Sequence, residues 1–154
     1  MTKIRAGVVD VIVIRPLARR WQVLALRRAP GVRRARSWEV VHGSVEPGEK
    51  PVAAALREVR EETGLAVRTL YSITVNPFYL YQSDTVQLAL VFAAFVEDAR
   101  VAPSDEHDAF EWLSVTEASR RFAWPREVEA LSHIRRLLKS GDAGAVDDVL
   151  RVFG

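Results

Sequence analysis

The sequence predicts an α/β protein in which a mixed β-sheet is flanked by helices. Three observations lead there. Runs of β-branched and apolar residues alternate along the chain with segments of helical periodicity, the links between them are of hairpin length, and no repeat, low-complexity tract or linker divides the 154 residues. That length suits one domain with a proper core, so a single domain over 1–154 is expected.

The first strand-like run is Ile4 to Ile14 and the second Trp21 to Leu26, with a proline-containing turn between them. Ala29 to Arg36 reads as a basic loop, and Ser37 to Val41 as a short strand feeding a turn at Gly43. A helix then begins at Pro51, whose missing N–H costs nothing in a first turn, and ends at Gly64, where a left-handed residue is cheap. At about 100° per residue, Val52, Ala55, Leu56, Val59 and Thr63 share the side that docks on the sheet. Strands are expected near Val67 to Val75, Thr85 to Val96 and Phe110 to Leu113, with Asn76 to Asp84 forming a turn or hairpin. Thr116 reads as the cap of a brief helix beginning at Glu117. Pro125 starts an amphipathic helix through Leu138, its apolar face built from Val128, Leu131, Ile134, Leu137 and Leu138, and Asp142 to Val152 reads as a last short helix.

Composition narrows the function classes. Cysteine is absent, which excludes disulfides, thiol chemistry and cysteine metal sites. No run approaches the roughly eighteen apolar residues of a membrane span, and the N-terminus lacks the pattern of a signal peptide, so the expected location is cytoplasmic. The net charge is only +2, yet Arg15, Arg19, Arg20, Arg27, Arg28, Arg33, Arg34 and Arg36 crowd the first quarter of the chain. Arginine forks bind phosphate oxygens bidentately, which suits a polyanionic substrate. An ordinary arginine-rich surface is the competing reading, and Arg27 and Arg28, at a strand end before the helix, are the stronger candidates.

The segment that carries chemistry is GSVEPGEKPVAAALREVREETGL, Gly43 to Leu65. Glu58, Glu61 and Glu62 stand at i, i+3 and i+4 and share one helix face, where like charges repel by roughly 0.2–0.5 kcal/mol per pair. A bound cation recovers that cost, and oxygen ligands with open water positions suit Mg²⁺ or Mn²⁺ rather than zinc. A solvated helix face paired with Arg57 and Arg60 is the alternative for an EVREE stretch taken alone.

Joined to Gly43, Glu49 and Gly64 at these spacings, the segment resembles the box of the Nudix (MutT-like) hydrolases at every fixed position. The resemblance implies an α/β/α sandwich with a mixed sheet and a glutamate-rich loop and helix. It implies Glu58, Glu61 and Glu62 as metal ligands, joined by the backbone carbonyl of His42, with Glu58 also able to serve as the base that orients water. Glu49 and Arg57 become the pair holding the loop to the helix, and Gly43 is expected to permit a tight backbone turn beside the ion. Ser44 departs from the Gly-Gly pair of many relatives. Glu106 matches an acid that relatives often carry in a later loop, with Asp105 and Asp108 as rivals.

The same resemblance implies metal-dependent cleavage of a diphosphate linkage in a nucleotide-type small molecule. Ser37-Trp38 with the GSVE sequence is similar to dihydroneopterin triphosphate and deoxynucleoside triphosphate pyrophosphohydrolases, which release a monophosphate and pyrophosphate. Dinucleoside polyphosphate hydrolases often carry a tyrosine further on, where Tyr81 stands, and asymmetrical cleavage of such a molecule is the alternative. Trp38, Tyr81, Phe78 and Tyr79 are the candidate base readers, against a packing role, and Trp124 reads as an anchor of the last long helix. A sensing module on a degenerate fold is the alternative of another class, and the intact box argues against it. No separate RNA-binding element is present, and a homodimer stays open.

Overall fold

Val8, Val9, Val11, Ile12, Val13 and Ile14 make the first strand almost wholly β-branched, and all are buried. A run covered on both faces belongs at the centre of a layered sheet. In the computed structural model, which describes residues Met1 to Gly154, this strand is β1, Lys3–Leu17. It pairs in parallel with β6, Thr85–Phe95, the other long apolar strand. On its second edge β1 pairs antiparallel with two partners. Its far end takes β2, Arg20–Arg28, and its middle takes β4, Val41–Ser44. The sheet has eight strands. β3, Trp38–Glu39, and β7, His107–Ser114, both pair with β2, while β5, Thr69–Leu80, pairs with β6 and with β8, Arg151–Phe153.

Side chains alternate across a strand, and β1 uses this to serve two cores. Val9, Val11 and Val13 pack with Val41 against Ala54, Ala55 and Val59 of helix α1, Pro51–Thr63. Ile12 and Ile14 pack on the other face against Ala130, Leu131, Ile134 and Leu138 of helix α3, Pro125–Leu138. A short helix α2, Val115–Arg121, adds Ala118 to that second core. The layers are therefore helix, mixed sheet, helix. No helix is long and apolar enough to cross a membrane.

Several boundaries differ from the sequence reading, most of them through pairing across the sheet. Pro16 lies inside β1 opposite Trp21, and the turn falls after Leu17. Gly43 lies in a strand opposite Val9 rather than in a turn. The region expected as a hairpin after Val75 continues as β5 to Leu80, because Asn76 to Leu80 pair with Thr85 to Ala89 of β6. The turn is only Tyr81–Ser83. Ser114, not Thr116, caps α2: its side chain accepts from the Glu117 amide while Glu117 reaches back, a complete capping box. The expected last helix reduces to one turn, α4, Asp147–Leu150, after which Arg151–Phe153 extend onto the edge of β5. Helix α1 runs as expected from Pro51 to Gly64, whose φ of 74° lets its amide close on the Arg60 carbonyl at 2.9 Å.

Candidate active site

Two polar centres meet near β4, one on each face of the sheet. The acidic one sits on α1. Because the helix docks through Ala55 and Val59, Glu58, Glu61 and Glu62 emerge at three depths. Glu62 is only 4% exposed, Glu58 is half-buried and Glu61 is exposed. One carboxylate oxygen of Glu62, Oε2, is buried without any hydrogen-bond partner. Burial, reinforced by the neighbouring charges of Glu58, Glu106 and Glu39, pushes the Glu62 carboxyl up to about 9. Burial also raises Glu58, with Glu61 and Glu106 adding to it and Arg57 opposing it.

Arg57 organises the entrance. Its Nε and Nη2 donate to the two oxygens of Glu49 at 2.8 and 2.9 Å, and Nη2 also reaches the Ser44 carbonyl at 2.9 Å. Nη1 donates to Glu58 at 2.8 Å and Glu61 at 3.1 Å. These bonds hold the Glu49 carboxyl down at about 2. The loop from Ser44 to Glu49 is thus pinned to the helix by one side chain. Gly43 contributes through space rather than through a turn. A Cβ there would stand 2.0 Å from the Glu58 carboxyl carbon, so the carboxylate lies directly on the glycine backbone. The expected tight turn is replaced by close approach.

Glu106, in the loop before β7, is exposed, and its charge is felt by both Glu58 and Glu62. Its carbonyl accepts the Ala29 amide at 2.9 Å, tying that loop to the end of β2. Asp108 is taken up by Arg27, two bonds at 2.8 and 3.2 Å, and Asp105 is exposed.

The second centre is a cleft of about 670 Å³. Its walls come from the loop after β2 (Arg28, Arg33, Arg34), from Glu39 and His42, from Pro77 to Leu80, and from Trp124 to Arg126 at the start of α3. Two buried ion networks support it. Asp10 pairs with the His42 ring at Nδ1 and accepts Arg126 Nε at 3.0 Å. Burial alone would raise the Asp10 carboxyl, but these partners hold it below its ordinary range. Glu39 likewise stays lowered against its burial, since it accepts His107 Nε2 at 2.9 Å and Arg28 Nη1 at 2.8 Å. Beside them lies Glu127, 2% exposed, with Oε2 accepting the Val40 amide at 2.8 Å and Oε1 unpartnered. Its burial pushes it up to about 8.

Of the residues expected at the site, Arg28 and His42 line this cleft, while Arg27, Trp38 and Tyr81 do not. Trp38 packs on the α3-side core between the guanidiniums of Arg27 and Arg121. Tyr81 is 84% exposed on the short turn after β5. Trp124, expected to anchor a helix, does precede α3 and also forms a cleft wall, with Arg34 over its ring at 4.2 Å. Sequence reasoning overlooked Asp10, Glu39, His107, Arg126 and Glu127. Asp10 did carry a signal, a lone acid inside a β-branched run, and so did Glu127, which falls in phase with Leu131, Ile134 and Leu138 on a buried helix face.

The donor set around α1 fits a hard divalent cation. It offers only oxygens, one of them orphaned and buried, and an uncompensated buried carboxyl of this kind is costly unless a positive charge meets it. As they stand, the side chains close no ready cage of three acids or histidines, since Arg57 draws Glu58 and Glu61 toward itself.

A helix of staggered carboxylates at one face of a sandwich, beside an arginine-lined cleft, defines a cation-assisted enzyme for anionic substrates. The NUDIX domain family model matches residues 5–134, and the chain belongs to that family, hydrolases of diphosphate linkages that generally use a divalent metal. Among curated relatives it is 39% identical over 116 residues to an octanoyltransferase of Myxococcus xanthus, covering 73% of this chain and 32% of that protein. It is 33% identical over 104 residues to the asymmetrical bis(5'-nucleosyl)-tetraphosphatase of Mus musculus, covering 63% of this chain and 67% of that one. The chain thus spans about a third of the first and two-thirds of the second. Among solved structures, a NUDIX hydrolase of Listeria monocytogenes superposes with a TM-score of 0.74 at 25% identity, over 88% of this chain and 96% of that one. The dihydroneopterin triphosphate pyrophosphohydrolase of E. coli gives 0.71 at 21%, over 92% and 100%.

Proposed function

We propose that this chain, as a single domain, is a Mg²⁺- or Mn²⁺-dependent pyrophosphohydrolase that cleaves a nucleoside triphosphate-type molecule, a dNTP, an NTP or dihydroneopterin triphosphate, to a monophosphate and pyrophosphate. The observation that carries it is the buried, unpartnered oxygen of Glu62 among Glu58, Glu106 and Glu39, a charge arrangement that wants a cation, set next to an arginine-lined cleft that wants an anion.

Glu58, Glu61, Glu62 and the His42 carbonyl would hold the metal, with Glu106 closing from the later loop. When bound, the ion neutralises phosphate charge and lowers the pKa of an attacking water. Arg57 keeps Glu58 and Glu61 in register and fixes the loop through Glu49. Glu58, whose carboxyl is raised by burial, would accept a proton from water. Arg28 and Arg126 orient the polyphosphate, and the rings of Phe78 and Trp124 support Arg126.

Asymmetrical cleavage of a dinucleoside polyphosphate is the second reading, favoured by the 33% identity to the mouse tetraphosphatase. The octanoyltransferase name lends no support to acyl transfer, since only 32% of that protein aligns. The deciding experiment is a Mg²⁺-dependent hydrolysis screen with ³¹P NMR product identification, over dNTPs, NTPs, dihydroneopterin triphosphate, diadenosine polyphosphates, ADP-ribose and 5′-triphosphorylated RNA. Pyrophosphate from a triphosphate is the expected product. ATP from diadenosine tetraphosphate would transfer the assignment to the second reading, and no turnover of any of them would defeat both.

A further inference from the structure

Asp10 is the one acid in the central strand. It is 2% exposed, and each of its oxygens is committed to a different side chain. Both of those side chains, His42 and Arg126, line the cleft. Strand register explains half of this arrangement. Asp10 and His42 are directly opposed partners of β1 and β4, so their side chains rise on the same face, the face that α3 covers. The other half comes from α3, whose first turn delivers Arg126. The guanidinium donates to Asp10 through Nε, and its central carbon lies 4.7 Å from the centre of the Phe78 ring and 5.0 Å from that of Trp124. Nδ1 and Nε are thus spent on Asp10. The polar groups left over are the imidazole Nε2 and the two Nη groups of Arg126, of which the Nη groups are donors.

We infer that Asp10 is a positioning residue that sets His42 and Arg126 as a two-pronged clamp for a phosphate of the substrate, on the side of β4 opposite the glutamate helix. The inference rests on the proposed hydrolase reading for what the phosphate is attached to, and on this chain's geometry for the clamp. Three features favour phosphate over a neutral acceptor. Arg126 and the His42 ring are held on one carboxylate, the surrounding wall adds Arg33 and Arg34, and the only carboxylate on the wall, Glu39, is already paired with Arg28 and His107. A planar guanidinium fixed on three sides loses little freedom on binding, and its remaining N–H groups form the fork that suits phosphate oxygens. His42 links the two centres. Its main chain lies beside Glu62, and its ring faces the cleft.

The test uses Asp10→Asn, His42→Phe and Arg126→Met, each checked for folding by circular dichroism and thermal melting. The probe is inorganic tripolyphosphate, which has no base, titrated calorimetrically with and without Mg²⁺. Each substitution should weaken tripolyphosphate binding at least about tenfold, the scale of one charge-assisted hydrogen bond. The Asp10→Asn/Arg126→Met pair should lose less than the product of the single losses, because Asp10 acts through Arg126. With the nucleotide found by the screen, KM should rise while kcat stays within a few-fold. Unchanged tripolyphosphate binding in folded His42→Phe and Arg126→Met would overturn the clamp, as would a fully multiplicative double variant. If Asp10→Asn does not fold, those two variants still decide the matter. Wild-type hydrolysis with no clamp effect would defeat the clamp and leave the hydrolase reading standing. Clamp-dependent tripolyphosphate binding without any hydrolysis would do the reverse.

Discussion

The two faces of the sheet bury charge in opposite ways. On the α1 face, Glu62 is buried with an unpartnered oxygen among other acids, and its carboxyl rises to about 9. On the α3 face Asp10 is as deeply buried, yet each of its oxygens has a partner and its carboxyl is held below its ordinary range, as is that of Glu39, which Arg28 and His107 meet at Oε1. Burial is nearly the same, so partners alone account for the difference. A frustrated acidic centre gains when a cation arrives. A satisfied ionic network is already rigid and gains nothing, which makes it a wall for orienting a substrate rather than a place for chemistry.

Breaking the frustrated side should have the largest effect. Glu62→Gln should cut kcat by about 10³-fold or more, as expected when several kcal/mol of metal-borne stabilisation are lost, while circular dichroism stays native. A near wild-type rate at saturating Mg²⁺ would remove Glu62 from the site. Gly43→Ala should come next. The new Cβ meets the Glu58 carboxyl at 2.0 Å, and a displacement of about 1 Å in a catalytic group costs on the order of 10²-fold. A rate within twofold of wild type would show that Glu58 has freedom to step aside.

Glu127 sharpens the comparison, because it is an unsatisfied acid on the otherwise satisfied face. Its carboxyl is raised to about 8 in the folded chain, against an ordinary value near 4.3. The folded state therefore holds this proton more tightly than the unfolded state. The associated stability is fully present below the unfolded value, declines as pH rises, and is lost by the time pH has passed through the folded value. Glu127→Gln mimics the protonated form, so it should leave Tm nearly unchanged at pH 4 and raise it at pH 9. An equal shift at both pH values would contradict the buried, protonated state. Tyr81→Ala should do least. The ring is 84% exposed and lies off the cleft, so KM for any nucleotide should change less than about twofold, the ordinary outcome for a surface position. A selective loss of dinucleoside polyphosphate cleavage would restore Tyr81 to substrate binding.

Much of the acidic centre was legible because it is local. Glu58, Glu61 and Glu62 are placed by helical periodicity, the helix ends are marked by Pro51 and Gly64, and Glu49 reaches Arg57 across a short loop. Helix α3 was legible for the same reason. The reading failed where pairing across the sheet outweighed local preference. Gly43 and Asn76 to Leu80 became strand through their ladders with β1 and β6, and the last residues left a helix to join the edge of β5. Trp38 and Tyr81, read as base readers, lie off the cleft, a placement that aromatic identity does not encode.

The sequence by itself determined the carboxylate face and the box that carries the family resemblance, since both rest on spacings within one helix and one short loop, and the sandwich was what that resemblance implied. Only the tertiary structure decided the cleft. Arg28, His42, Phe78 and Arg126 come from four separate segments, and they meet because β1 sets Asp10 opposite His42 while α3 crosses that face and delivers Arg126 to the same carboxylate. Periodicity reports which face a side chain takes, but packing of distant elements decides what shares that face.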